Sequence, residues 1–262
     1  MVTPPLHAEE RGRGPPLVLL HGWSMNLRVF DTLRAALAGT HAVTAIDLPG
    51  HGRSTDGALD QPSQLQRLAD AVPRGAALLG WSLGGQFALQ LAARAELQVR
   101  ALCLISTTPK FVAGSDWCAG MAPATLAQFA QALRADRERT VRDFLELQVR
   151  GSADGEAVLQ TLLAALQSHG GATAGALDAD LQLLQQNDLR ALARKLPMPA
   201  LVIGGQYDRV TSPQAGEALA ALLPQAESLT LARAGHAPFL SHPAAVLERL
   251  QTWLRALPPV RT

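Results

Sequence analysis

Ala76-Ala77-Leu78-Leu79-Gly80-Trp81-Ser82-Leu83-Gly84-Gly85-Gln86-Phe87-Ala88-Leu89 is the stretch on which the reading of this chain turns. It runs from an apolar segment, through a serine between glycines, into a helical pattern from Leu83 to Ala93. Gly-x-Ser-x-Gly alone arises by chance roughly once in ten chains of this length, at about 7% usage for each residue. The context therefore carries the argument. A strand-to-helix turn this sharp needs small residues on both sides and displays the serine at its tip. It also sets Ser82 at a helix N-terminus, where unpaired backbone N–H groups and the helix dipole favour developing negative charge. Leu83 N–H is thereby a candidate oxyanion-hole donor.

Outward from this motif, short apolar runs bounded by turn residues alternate with helical patterns, the sign of a mostly parallel sheet flanked by helices. Strands are predicted at Leu17 to Leu20, Ala42 to Leu48, Ala76 to Gly80, Val99 to Ile105, Ala200 to Gly204 and Glu227 to Ala232. Helices are predicted at Leu65 to Ala71, Leu83 to Ala93, Pro213 to Leu223 and Pro243 to Leu257. The alternation stops after Ile105 and resumes near Pro197, with Ala-, Leu- and Gln-rich sequence between. That is too long for a plain connection. The predicted organisation is an α/β core from residues 1–106 and 191–262 with a helical lid, 107–190, inserted over the strand ends where open α/β sheets place ligands.

A serine hydroxyl needs a general base within hydrogen-bond reach, and a carboxylate to hold that base in the right tautomer. Behind a strand-turn-helix nucleophile the acid comes next in the chain and the histidine last. Of His169, His236 and His242, only His236 follows a strand in a Gly-containing loop, Ala234-Gly235-His236-Ala237-Pro238. His169 reads as a lid turn and His242 as a helix-start or surface residue. Asp208 follows the strand Ala200 to Gly204 and the turn Gly205-Gln206-Tyr207, whereas Asp178, Asp180 and Asp188 read as solvated faces or caps of the insertion. Ser82, Asp208 and His236 are the candidate triad. His21-Gly22-Trp23, directly after the strand Leu17 to Leu20, offers Trp23 N–H as a second oxyanion donor; the alternative is a turn held by a buried histidine.

The 262 residues are 48% hydrophobic, and Lys+Arg 23 against Asp+Glu 22 leaves a net charge of +1. A charge this small creates no global field for nucleic acid or an anionic membrane. Cys103 lies in an apolar run and Cys118 in a Gly/Pro-punctuated stretch, so no disulfide framework is expected. The first sixteen residues hold no apolar signal core, and no run approaches the ~18 apolar residues of a membrane span. A cytoplasmic protein is expected, requiring no metal and no organic cofactor.

His21-Gly22-Trp23, Asp47-Leu48-Pro49-Gly50-His51-Gly52-Arg53-Ser54, Gly80-Trp81-Ser82-Leu83-Gly84-Gly85 and Gly235-His236-Ala237-Pro238 together resemble the α/β-hydrolase superfamily along essentially the whole chain. The second motif reads as a structural turn, with no catalytic role for His51. Arg139-Thr140-Val141, Phe144-Leu145-x-Leu147-Gln148 and His236-Ala237-Pro238-Phe239 with Ser241-His242-Pro243 are most similar to the pimeloyl-acyl-carrier-protein methyl ester esterases of biotin biosynthesis. The resemblance implies methyl ester hydrolysis on a carrier-bound pimeloyl chain, with acyl carrier protein as a transient partner. It implies substrate contacts at Trp23, Ser82, Leu83, Phe144, Leu145, Gln148 and His236.

At 100° per residue, Val141, Phe144, Leu145 and Gln148 share one helix face, which suits an acyl chain with Gln148 bonding a carbonyl. The alternative makes Phe144 core and Gln148 a boundary residue. Arg139, Arg142 and Arg150 on the opposite face are candidate docking contacts for an acidic carrier. Asp143 and Glu146 share that face, so a self-paired solvated helix is the alternative. Glu156 and Gln160 stand where relatives are expected to carry basic residues. Two rival readings use the same sequence: a general short-chain esterase or lactonase acting on small esters, and a noncatalytic binder of small apolar ligands.

Overall fold

The structure of the protein, a computed structural model, describes residues 5–258. Its sheet comprises β1 (Ala8–Arg11), β2 (Pro16–Leu20), β3 (Ala42–Ile46), β4 (Ala77–Trp81), β5 (Ala101–Ile105), β6 (Ala200–Gly205) and β7 (Ala226–Leu231). The strand order is β1-β3-β2-β4-β5-β6-β7; β1 runs antiparallel to β3 and every other pair is parallel. The helices are α1 (Asp31–Leu37), α2 (Gln61–Ala71), α3 (Leu83–Ala92), α4 (Pro123–Ala135), α5 (Arg137–Val149), α6 (Gly155–His169), α7 (Ala174–Gln186), α8 (Arg190–Ala193), α9 (Pro213–Leu222), α10 (Pro238–Ser241) and α11 (Pro243–Ala256).

Strands β4 and β5 are buried at every position, as continuous apolar runs covered on both faces require. Alternate residues feed two cores. Val18, Leu20, Leu78, Leu102 and Leu104 join one, and Leu17, Leu19, Leu79, Cys103 and Ile105 the other. Burial raises the Cys103 thiol pKa, while Cys118 is exposed, and both are free. The six predicted strands correspond to β2 through β7. Two further elements lie outside the predicted set: β1, whose Ala-Glu-Glu-Arg is polar because it is an edge strand, and α1, which is two turns long and lacks a start signal. Among the described residues no helix is long and apolar enough to cross a membrane.

The chain leaves β2 toward β3 on one side and leaves its neighbour β4 toward β5 on the other, so the sheet's topological switch point lies between β2 and β4. Loops leaving neighbouring strands in opposite directions open a crevice there. The loop after β2 carries His21-Gly22-Trp23, and the turn after β4 carries Ser82.

Helices α4 to α8 fill the segment between β5 and β6 and are bonded to those loops. Asn26 Nδ2 donates to Ala165 O (2.9 Å) and Gly170 O (2.7 Å), and Trp23 Nε1 donates to Leu177 O (3.1 Å). Asp180 departs from the expected solvated face or cap, and His169, at the turn that ends α6, is buried. His169 Nε2 lies 2.8 Å from Asp47 Oδ2, and both side chains are buried. Asp180 is 0% exposed and accepts from Gln64 Nε2 at 3.0 Å. Each polar residue sits on the side of its helix that meets core loops, a side that helical spacing alone does not assign.

Asp180 Oδ2 faces His51 Nε2 at 3.7 Å, both at zero side-chain exposure. Burial pushes the Asp180 pKa up to about 7 and pulls His51 down to about 3. In the folded protein Asp180 holds a proton that the unfolded chain releases near its ordinary value, so its contribution to stability is lost as pH rises from about 4 to about 7. Asp180→Asn removes this penalty. Its melting temperature relative to wild type is expected to rise between pH 5 and pH 8 in parallel thermal scans; a difference that stays flat or falls refutes the assignment. His51 acts with the opposite sign, losing stability as pH falls below its ordinary range.

Candidate active site

Ser82 occupies φ 56°, ψ −117°, a region that costs a non-glycine residue about 1–3 kcal/mol. The turn is held by backbone bonds, Ser82 N to Ile105 O (2.9 Å) and Gly85 N to Ser82 O (3.0 Å), and by Thr107 Oγ1 to Ser82 O (3.2 Å). The flanking glycines answer to close approach. A β-carbon on Gly84 would lie 2.1 Å from Leu20 O, and one on Gly80 would lie 2.4 Å from Gly85 Cα. Such packing lets α3 start directly above the end of β2. Leu83 N–H is the first in that helix, among those that have no intrahelical acceptor.

The loop after β2 closes on the serine from the other side: a β-carbon on Gly22 would sit 3.3 Å from Ser82 Cβ. His21, buried, accepts Leu48 N–H at Nε2 (3.0 Å), so its Nδ1 donates to Gly22 O (2.9 Å). Burial lowers its pKa to about 4, keeping it neutral. This histidine braces the loop, and Trp23 N–H follows directly.

Asp208 and His236 come together at the ends of β6 and β7. His236 Nδ1 lies 2.8 Å from Asp208 Oδ2 and 3.0 Å from Oδ1, with both side chains 1% exposed. The carboxylate also accepts Val210 N–H (2.8 Å) and Thr211 N–H (2.9 Å), while Thr211 Oγ1 lies 2.9 Å from Oδ2. With Nδ1 committed to Asp208, Nε2 keeps its lone pair; it is buried and makes no hydrogen bond among the described residues. Trp81, the residue before Ser82, donates Nε1–H to His236 O at 2.8 Å and so ties the serine turn to the histidine loop. Sequence reasoning missed Trp81 and Thr211. Thr211 was findable as the residue that closes a side-chain turn three positions after an aspartate.

The helical insertion also holds that loop. Gln148 O accepts His236 N–H (2.9 Å), and Ser152 Oγ accepts Gly235 N–H (3.2 Å). Above Ser82 lies a cavity of about 70 Å³, lined by Trp23, Phe111, Leu126, Phe129, Phe144 and Leu147 among others. Leu145 and Gln148, expected on its wall, are not among its lining residues. Phe144 and Leu147, one turn apart, face it, which rotates the helix relative to the expected face. Leu145 instead lines a second cavity of about 410 Å³ with Ser24, Val141, Arg142, Leu163 and Leu166, and Gln148 is 1% exposed. Of the arginines, Arg139 is exposed and pairs loosely with Asp143 (3.8 Å), Arg142 edges the second cavity, and Arg150 is exposed at the end of α5.

For a metal, the only described cluster with converging donors is His7, Asp47 and His169, whose ligand atoms lie within 4.8 Å of one another. Asp47 already accepts Leu27 N–H (2.8 Å) and Arg53 N–H (3.0 Å) besides facing His169, so these residues read as a hydrogen-bonded joint between insertion and core. Around Ser82 the groups present are its hydroxyl, the carboxylate-paired imidazole of His236 and the backbone N–H groups of Trp23 and Leu83.

The alpha/beta hydrolase fold family matches residues 15–243. A pimeloyl-acyl-carrier protein methyl ester esterase of Stenotrophomonas maltophilia (strain K279a) is 44% identical over 256 residues, 97% of this chain and 98% of the relative. A protein of the same name from Xanthomonas axonopodis pv. citri (strain 306) is 42% identical over 255 residues, covering 97% and 100% of the two chains. Among solved structures, an esterase from Exiguobacterium antarcticum superposes with TM-score 0.87 at 21% identity over 96% of each chain, a likeness of fold.

Proposed function

The chain belongs to the alpha/beta hydrolase fold family and, within it, to the pimeloyl-acyl-carrier protein methyl ester esterases, and from that premise we propose a serine carboxylesterase acting through Ser82, Asp208 and His236. Its substrate is the methyl ester of pimeloyl-acyl-carrier protein, which it converts to pimeloyl-acyl-carrier protein and methanol, a step in biotin biosynthesis. The observation that carries the chemistry is the 2.8 Å contact of His236 Nδ1 with buried Asp208, which leaves Nε2 as the base.

In the first step His236 Nε2 takes the Ser82 hydroxyl proton as Oγ attacks the ester carbonyl. Trp23 N–H and Leu83 N–H stabilise the oxyanion, each worth roughly 10²–10³ in turnover. The imidazolium, held by Asp208, returns the proton to the methoxy oxygen and methanol leaves. Water then loses a proton to His236 and attacks the acyl enzyme; the product acid departs and Ser82 recovers its proton. The aliphatic chain lies against Phe144 and Leu147, and α4 to α8 act as the lid. Arg139, Arg142 and Arg150 are the docking candidates for the acidic carrier.

The test compares kcat/KM for pimeloyl methyl ester on carrier protein with that for free p-nitrophenyl butyrate. The carrier-linked ester is expected to be preferred, with the product identified by mass as the free acid. Preference for the free ester supports the general esterase reading instead. A fluorophosphonate that fails to label Ser82 supports the binding-protein reading.

A further inference from the structure

The cavity above Ser82, about 70 Å³, is far below the ~300 Å³ at which ligand pockets usually begin. An acyl chain can occupy it only if part of its wall moves. Exposure shows which part faces solvent. Trp23, Phe111, Leu126, Leu181, Leu184 and Val210 are all below 9% exposed and form the floor and rear. The lining residues that also reach the surface are Met121, Thr125, Phe129, Phe144 and Leu147. Every one of them lies on α4, on α5 or on the segment entering α4, so the route from solvent to Ser82 passes between these two helices.

Phe129 sits in that route. Its ring meets Trp23 edge-on at 5.3 Å (67°) and Phe144 at 5.7 Å (61°), while Trp23 and Phe144 meet each other at 5.1 Å (87°). Trp23 is pinned by its bond to Leu177 O, and α5 is pinned by Gln148 O receiving His236 N–H. Helix α4, by contrast, is seated by the apolar side chains Leu126, Ala130 and Leu133. Of the three rings, the one on α4 is therefore the cheapest to displace.

We propose that Phe129 is the gate of the acyl cavity and a specificity-determining residue: its ring must swing away to admit a chain between α4 and α5, and its bulk sets how long an acyl group reaches Ser82. This rests on the reading of Ser82 as the nucleophile. It follows that narrowing or widening position 129 changes discrimination between long and short acyl groups, without changing the machinery at Ser82.

The experiment measures kcat/KM for p-nitrophenyl decanoate and p-nitrophenyl butyrate with wild type, Phe129→Ala, Phe129→Leu and Phe129→Trp, each checked for folding by its melting temperature. The decanoate-to-butyrate ratio is expected to rise about tenfold in Phe129→Ala, to rise less in Phe129→Leu, and to fall in Phe129→Trp, a size of effect typical of apolar pocket discrimination. Phe129→Leu carries the test if the alanine variant does not fold. A ratio within twofold of wild type in the folded variants overturns the proposal. So does a fall in both smaller variants, since that is the signature of a ring that merely adds apolar contact to the bound chain. Ser82→Ala on the same two esters keeps the failures apart: the nucleophile stands or falls on that variant, the gate on the ratio.

Discussion

Ser82→Ala is expected to lower kcat on p-nitrophenyl butyrate by roughly 10⁵- to 10⁶-fold, the scale on which loss of a serine nucleophile collapses the catalytic unit. Stability should scarcely change. Alanine keeps the β-carbon at the same positive φ, so the turn's strain is neither added to nor relieved. The helix start, the bond from Ser82 N to Ile105 O and the glycine contacts are all backbone features that the substitution leaves in place. Steady-state rates at matched folded concentration check the prediction, and activity within tenfold of wild type overturns the nucleophile assignment.

Asp208→Asn is the second large effect, with kcat expected to fall about 10⁴-fold. The carboxylate accepts from Val210 N–H, Thr211 N–H and His236 Nδ1 in one buried cluster. An amide brings only one acceptor oxygen. If that oxygen keeps the two backbone donors, the NH₂ turns toward His236 Nδ1 and favours the tautomer with the proton on Nε2, where it cannot accept from Ser82. If the amide flips, the backbone donors meet an NH₂ group and a buried hydrogen bond is lost, costing about 1–3 kcal/mol. The diagnostic is therefore a collapse of kcat with a modest loss in melting temperature. An Asn variant that keeps a tenth of the wild-type rate would falsify the role given to Asp208. His236→Ala should match the loss and, unlike Asp208→Asn, should not respond to raised pH.

The features legible in the sequence share one property: each is local. The run into Gly80-Trp81-Ser82-Leu83-Gly84 specifies strand, turn and helix within a few residues, because only small residues permit α3 to begin against Leu20 O. Asp208 was findable because it follows the apolar strand β6, and His236 because it sits in a Gly-containing loop after β7, where Leu229 and Leu231 alternate with polar residues. The polar edge strand β1 has no such pattern, since an edge facing water needs no apolar run.

The insertion was legible as helices but not in its orientation. Helical spacing supplies a set of faces, and the apolar residues of α5 (Val141, Phe144, Leu145, Leu147 and Val149) are spread over more than one of them. Packing between Trp23, Phe129 and the sheet selected Phe144 with Leu147 for the cavity and sent Leu145 to the second core. Likewise His169 reads as a turn residue and Asp180 as a solvated face or cap until Asp47 and Gln64 are brought beside them from distant parts of the chain. The sequence by itself determined the fold class, the strand-turn-helix at Ser82 and the strand-end loops that carry Asp208 and His236, because backbone conformation and periodicity are set by near neighbours. The tertiary structure alone decided which helix face meets the cavity, which polar groups are buried as joints, and that Phe129 stands in the entrance, because burial depends on surfaces contributed from far along the chain.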